Sequence, residues 1–169
     1  WNSQVTIALM ARNVFHETAS GYAFLGTLFA AGSIVGTILV SRWHSPRTTH
    51  VLHAAIAFGL MSVVASMCPS VGWFGSVLVL LGTSSLVVAT TASVTFQLAA
   101  PAYLRGRVVA VYLLVTSSAT GAGAPLLGVI GQFAGPRWTY GICGVVVIVA
   151  ATAGVIAMRV PRLTANERS

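Results

Sequence analysis

Long uncharged stretches separated by short polar segments dominate the pattern of this chain. Charged side chains are absent from residues 18–41, 48–104, 108–136 and 138–158. A helix needs about 20 apolar residues to cross the roughly 30 Å hydrocarbon core of a bilayer. Three of these stretches match one such helix each, and the stretch 48–104 matches two helices with a turn between them. The pattern therefore predicts a multi-pass membrane protein.

Turn residues divide the uncharged stretches into separate spans. Pro69 and Pro101 interrupt the uncharged stretch 48–104, and Gly135-Pro136 ends the stretch 108–136. Proline has this effect because it is poorly tolerated inside a continuing helix. The apolar segment before Arg12 is too short to cross a bilayer. The predicted elements are a remnant helix at 1–11, spans at about 21–40, 51–67, 72–99, 108–133 and 138–158, and a cytoplasmic tail at 159–169.

The continuous apolar runs favour helices over strands. A helix satisfies its own backbone hydrogen bonds in lipid, whereas a membrane barrel shows alternating segments of about ten residues. We therefore predict an all-α integral membrane fold, a six-helix bundle of five full spans plus a truncated first helix. The truncated helix and the start at Trp1 suggest that residues 1–169 are one part of a longer protein.

The charge distribution sets the class of protein and its orientation. Only 7% of the residues are charged, against about 25% in soluble domains, which excludes an ordinary soluble protein. The net charge of +7 comes from arginines at the ends of apolar runs, so it indicates membrane topology and not nucleic-acid binding. Seven arginines share one predicted side: Arg42, Arg47, Arg105, Arg107, Arg159, Arg162 and Arg168. The positive-inside rule places that side and the C-terminus in the cytoplasm. We expect a bacterial inner membrane, since nine arginines without a lysine suggest a GC-rich genome.

Catalytic and metal-binding patterns are missing from the sequence. The two carboxylates, Glu17 and Glu167, lie outside the predicted spans. His53 lies just inside a span, where an interfacial position and a role in proton transfer both remain open. We therefore expect no enzyme activity, no cofactor and no metal. If the complete protein is coupled to protons, its titrating acid should lie outside these residues.

Two predicted spans carry stripes of polar side chains. Residues spaced by seven or by four share one face of a helix. The third span has such a stripe at Ser76, Thr83, Thr90 and Gln97, and the fourth has one at Tyr112, Thr116 and Thr120. The stripes are consistent with a water-accessible cavity lined by both helices, in which these seven residues are the candidate binding residues. The alternative is that each hydroxyl bonds back to a carbonyl of its own helix.

Glycines in the first and fourth spans predict two different roles. Gly32 and Gly36 form a GxxxG pair, which lets helix backbones approach closely in lipid. Pro125 with glycines on either side predicts a helix that can bend. The predicted packing and hinge residues are Gly32, Gly36, Gly121, Gly123, Pro125 and Gly128.

Three segments together resemble the C-terminal half of a major facilitator superfamily transporter. They are residues 20–37 followed by Arg42 and Arg47, the loop at 101–108, and the helix segment at 125–131. Within that superfamily the chain is most similar to the branch of siderophore exporters and macrolide efflux pumps. The resemblance implies half of a twelve-helix fold in which two six-helix halves rock about a central site.

The resemblance also implies a function and partners. It implies secondary active, proton-coupled export of small amphipathic molecules such as drugs or siderophores. The partners would be an N-terminal six-helix half, the lipid bilayer and a small-molecule substrate. The arginines at 42, 47, 105 and 107 would hold the cytoplasmic gate, or would serve only topology and headgroup contact. The alternative to a transporter is a small membrane subunit or scaffold that acts by helix–helix association.

Overall fold

The computed structural model describes residues 3–15, 19–42, 48–133 and 135–166. Within these ranges the chain forms helices and turns and no strand. The helices are α1 (Ser3–Asn13), α2 (Ala19–Ser41), α3 (Thr48–Met67), α4 (Val71–Ala99), α5 (Arg105–Phe133) and α6 (Pro136–Asn166), with one 3-10 turn at Ala102–Leu104. The predicted all-α membrane fold is confirmed.

Five of the six helices, α2 to α6, are long and apolar enough to cross a membrane. Helix α1 has 11 described residues, or about 16 Å at 1.5 Å per residue, which is too short to span. Helix α5 begins at Arg105, before the predicted start at 108, because nothing in Arg105-Gly106-Arg107 stops a helix. Helix α6 continues past the predicted end at 158 to Asn166, so it extends into the segment expected to be a tail.

Helix α2 packs along α4 through glycines on both helices. A Cβ on Gly32 would collide with the Val79 carbonyl, and one on Gly82 would collide with the Phe29 carbonyl. The Thr83 hydroxyl donates across the contact to the Gly32 carbonyl at 2.9 Å. Close backbone approach of this kind, with cross-helix hydrogen bonds, is how helices associate in lipid. We call this contact the α2–α4 seam.

Helix α3 packs along α6 by a similar arrangement and also contacts α4. A Cβ built on Gly59 would lie 2.9 Å from the Gly144 carbonyl oxygen, and one on Gly144 would lie 2.7 Å from the Gly59 carbonyl oxygen. The two backbones therefore touch where the helices cross. Together these contacts join α2, α4, α3 and α6 into one continuous row.

The buried apolar core lies toward one end of the bundle. Phe74 is fully buried at its centre, with its ring 5.4 Å from that of Phe15 and 5.8 Å from that of Tyr140. At the same end the Arg137 guanidinium donates to the Cys68 carbonyl at 3.4 Å, which links the first turn of α6 to the residue that follows α3. The opposite end carries Arg42, Arg105 and Arg107, and we call it the arginine-rich end.

Helix α5 is the exception to this close packing. It makes only sparse contacts with α4, α6 and α1. None of the residues in its most apolar window is buried, whereas 44% of those in the corresponding window of α4 are. Gly135 joins α5 to α6 with a φ of 88°, a conformation that favours glycine because it lacks a Cβ.

Candidate functional site

A cavity of about 490 Å³ with several hydroxyl groups in its wall lies between α4 and α5. One residue of α4 and about two turns of α5 form its walls. The lining residues are Ala89, Tyr112, Thr116, Ser117, Ala119 and Thr120. The structure thus brings the whole predicted stripe of α5 to one cavity, which we call the hydroxyl cavity.

The hydroxyls of this cavity present mainly oxygen lone pairs. Thr116 donates to the Tyr112 carbonyl at 2.9 Å, and Thr120 donates to the Thr116 carbonyl at 2.9 Å. A hydroxyl that donates once still has lone pairs with which to accept. The Tyr112 hydroxyl lies 3.5 Å from the Ala89 carbonyl, which is long for a hydrogen bond and leaves it available to a ligand. The cavity wall therefore offers uncharged hydroxyl groups between apolar surfaces.

A second, apolar cavity of about 420 Å³ adjoins the first on the side of the arginine-rich end. Tyr112 lines both cavities, and its ring lies 5.8 Å from that of Phe96. The remaining lining residues are Leu104, Arg107, Val108, Val111 and Val115. The two adjoining cavities between α4 and α5 therefore differ. The first offers hydroxyls, and the second, beyond Tyr112, offers apolar side chains and the Arg107 guanidinium.

The stripe on α4 does not line the hydroxyl cavity. Thr83 lies at the α2–α4 seam instead, with its hydroxyl bonded to α2. Ser76 is exposed and donates to the Gly72 carbonyl at 3.2 Å. Gln97 donates to the Ser93 hydroxyl at 3.0 Å, and Thr90 is half-buried. The two stripes therefore do not share this cavity, because α2 packs against α4 at Thr83. A substrate-binding role for the α4 stripe stays a prediction.

The three predicted gating arginines that the structure describes lie at one end of the bundle. Arg42 follows α2 and is exposed, and Arg107 is exposed in the first turn of α5. The Arg105 Nε donates to the Ala100 carbonyl at 3.4 Å, so this side chain bonds to the end of α4. Arg47 falls outside the described residues. Their gating role stays a prediction.

The glycines predicted for packing and bending have two different surroundings. Gly32 and Gly36 lie at the α2–α4 seam, where a Cβ on Gly36 would approach the Thr83 carbonyl oxygen to 2.6 Å. Around Gly121, Gly123 and Gly128 a Cβ would meet nothing within 4 Å. Pro125 lies exposed inside an unbroken α5. A hinge at Pro125 stays a prediction.

Sequence reasoning missed some residues of the site and of the helix contacts. Ser117 lines the hydroxyl cavity although it is outside the four-residue spacing of the stripe. Gly59, Gly82 and Gly144 lie at helix contacts but form no GxxxG pair with another glycine. Ser117 could have been found from its position next to Thr116, since adjacent helical residues lie only about 100° apart.

The described part of the chain was compared with the side-chain groups that bind metal ions in proteins. No group of three or more histidine, cysteine, aspartate or glutamate side chains lies close enough there to hold a metal ion.

One family model matches nearly the entire chain. The model of the transmembrane secretion effector family, a family of major facilitator type, matches residues 4–169. No curated protein and no solved structure matches the chain significantly. The match agrees with the five helices that are long and apolar enough to cross a membrane. This multi-pass membrane protein therefore belongs to the transmembrane secretion effector family, and its role is in membrane transport.

Proposed function

We propose that this chain forms the C-terminal six-helix half of a secondary active exporter. Helices α1 to α6 would be the seventh to twelfth helices, and a second six-helix half would cover α5. The exposed apolar side chains of α5 support this proposal, with Leu114 at 68% and Leu126 at 64% exposure. The main support for the proposal is the hydroxyl cavity, which is partly open and is lined mostly by the same helix. In this arrangement the site lies between two halves that move relative to each other.

The walls of the two adjoining cavities favour small amphipathic substrates. A ligand that accepts or donates hydrogen bonds would meet Thr116, Thr120 and the Tyr112 hydroxyl. An apolar part of the same ligand would lie beyond Tyr112, against Phe96 and Val111. Neutral drugs and siderophore-like molecules have this division of polar and apolar surface. The chain has only two acidic residues, Glu17 and Glu167, outside its spans. The acid that couples export to protons would belong to the other half.

Orientation in the membrane follows from the arginines. Arg42, Arg105 and Arg107 share one end of the bundle, and an excess of arginine marks the cytoplasmic side. We propose that this end faces the cytoplasm of a bacterium and that the protein lies in the inner membrane. Cysteine labelling of Ser41→Cys and Ser70→Cys variants with a membrane-impermeant reagent tests this. Labelling at position 41 from outside intact cells would contradict it.

Efflux measurements on the complete transporter test the proposed site. Cells that lack their main efflux pumps would express the wild type or Tyr112→Ala and be loaded with a panel of amphipathic dyes. We expect the variant to export at least one dye roughly tenfold more slowly, because the ring separates the polar cavity from the apolar one. The matched control is Thr152→Leu, an exposed hydroxyl on α6 that bonds only to the Val149 carbonyl. Equal export by wild type and Tyr112→Ala, at equal membrane abundance, would remove the hydroxyl cavity from the mechanism.

A further inference from the structure

A third groove, of about 510 Å³, lies on the other side of α4. Its α4 residues include Leu80, which is nine residues and therefore about 180° around the helix from Ala89 of the hydroxyl cavity. Helices α2 and α3 flank it, and α4 forms its floor. Lining residues include Leu39 from α2 and His50, His53, Ala57 and Met61 from α3. We call it the α3 groove, and it is separate from the site proposed for substrate.

The floor of the α3 groove offers hydrocarbon contact and little hydrogen bonding. Thr83 and Ser84 line it, but both hydroxyl protons are already donated. Thr83 lies 2.9 Å from the Gly32 carbonyl oxygen, and Ser84 lies 2.8 Å from the Leu80 carbonyl oxygen. The other floor residues, Leu80 and Val87, are apolar. An occupant in contact with the floor is therefore stabilised mainly by burying its own apolar surface.

The length of the groove matches one leaflet of a bilayer. From His50 to Met61 is eleven residues of helix, or about 16 Å along the axis. Half of a hydrocarbon core of about 30 Å is about 15 Å. Because α3 begins at the arginine-rich end, the groove runs from that surface to near the middle of the membrane.

Basic side chains are concentrated where the groove meets the surface. His53 is exposed and His50 is half-buried at this end. Arg42 is exposed three residues after Leu39, and its backbone N–H bonds to the Leu39 carbonyl at 3.3 Å. The groove is thus largely apolar along its length, with two histidines at its outer end and Arg42 about one helical turn beyond its lining residue Leu39. A cation at that position attracts the phosphate of an anionic lipid.

We propose that the α3 groove binds one acyl chain of an anionic phospholipid. The chain lies along α3 between His53 and Met61, and the headgroup phosphate lies beside Arg42 and His53. Histidine N–H groups and the arginine guanidinium both donate to phosphate oxygens. Burial of the chain gives affinity, and the arginine gives preference for a negatively charged headgroup.

Native mass spectrometry of the full-length protein in a neutral detergent tests this site. The detergent micelles would contain equal amounts of phosphatidylglycerol and phosphatidylethanolamine with matched acyl chains. We expect about fivefold preferential retention of one phosphatidylglycerol, which is the effect of about one arginine near a headgroup. Ala57→Phe, which fills the groove, should abolish retention of this lipid. Arg42→Gln should keep a bound lipid but lose the preference.

Matched variants and ligands distinguish binding in the α3 groove from retention of lipid elsewhere on the protein. Ala150→Phe adds the same ring to an exposed position of α6, and Arg12→Gln removes an arginine far from the groove. Both should retain phosphatidylglycerol as the wild type does. Equal retention by Ala57→Phe and wild type would overturn the proposal. The proposal would also fail if glycerol phosphate, which lacks acyl chains, displaced the lipid completely. It would likewise fail if Ala57→Phe converted a dimer into monomers, because a second copy of the chain would then occupy the groove. Dye export plays no part in this readout, so its result is independent of the proposed function.

Discussion

Helices α2 and α5 are both rich in glycine, yet the structure uses their glycines differently. On α2, Gly32 and Gly36 face the backbone of α4 so closely that a methyl group would collide. On α5, Gly121 and Gly128 face open space. The difference does not lie in the amount of glycine but in whether a second helix covers the glycine face. A glycine motif in a membrane helix therefore indicates the ability to pack closely and does not identify the partner.

The membrane explains how α5 remains stable with little covering. In water, an uncovered apolar helix would be strongly destabilised. In lipid, helix association depends on close packing and cross-helix hydrogen bonds, because lipid tails are as apolar as leucine. The α2–α4 seam has both, through Gly32, Gly82 and the bond from Thr83. Helix α5 has sparse contacts, and its threonine hydroxyls bond to their own helix. Among the five spanning helices, α5 is therefore the one held least tightly by its neighbours.

The largest expected effect comes from adding a side chain at the α2–α4 seam. Gly32→Leu forces α2 away from the Val79 carbonyl and should destabilise the bundle by about 3 kcal/mol or more. The same change at Gly121, where space is open, should shift stability by less than about 1 kcal/mol. Thermal unfolding of the two purified variants in detergent, followed by circular dichroism, measures the difference. Equal destabilisation would mean that α5 is covered as closely as α2.

A larger side chain in the hydroxyl cavity should affect transport and leave stability unchanged. Thr116→Leu removes an acceptor oxygen and fills part of the space between α4 and α5. We expect roughly tenfold slower export of a substrate in the complete transporter, with an unfolding temperature close to that of the wild type. The paired control is Thr37→Leu, an exposed hydroxyl on α2 that bonds to the Ser33 carbonyl. Loss of stability without loss of export would assign Thr116 to packing alone.

A smaller effect distinguishes cross-helix from intrahelical hydroxyl bonds. Thr83→Val keeps the shape of the side chain but removes the bond to the Gly32 carbonyl. We expect a loss of about 0.6 kcal/mol, the average for such bonds between membrane helices. Thr116→Val removes only a bond to its own helix and should have almost no effect on stability. Titration of both variants with a denaturing detergent compares them, and identical values would contradict a special role of Thr83.

Adding a single methyl group should change stability with opposite sign on the two helices. Gly121→Ala adds one methyl group to an exposed helical position with nothing within 4 Å. Alanine is favoured over glycine inside a helix by about 1 kcal/mol, so this variant should be slightly more stable than the wild type. Gly36→Ala makes the same change next to the Thr83 carbonyl and should be less stable. Thermal unfolding of the pair gives the two signs directly, and a destabilised Gly121→Ala would show that another helix covers this glycine.

The order of helices could be predicted from the sequence because it depends on local properties. Charge-free lengths and the prolines at 69 and 101 determine where a helix can cross a bilayer and where it ends. The polar stripe on α5 was also predictable, since Tyr112, Thr116 and Thr120 share a face in any helix.

The surroundings of each face could not be predicted in the same way. The stripe that includes Thr83 satisfies the same spacing rule as the stripe on α5, but α2 covers it. Helical periodicity shows which residues share one face of a helix, but it does not show what packs against that face. The α3 groove was not foreseen either, because it depends on α2 and α3 both packing against α4. Such properties arise from the arrangement of several helices and not from any one of them.

The bond from Arg137 to the Cys68 carbonyl, together with the rings of Phe15, Phe74 and Tyr140, has a mechanical consequence. These contacts hold one end of the bundle together, and we infer that this end acts as a pivot. A helix of 29 residues, such as α4, is about 44 Å long, so a tilt of about 5° at this pivot moves its far end by roughly 4 Å. The same small rotation hardly displaces Phe74. A small rotation about the end near Phe74 therefore moves the arginine-rich end the most.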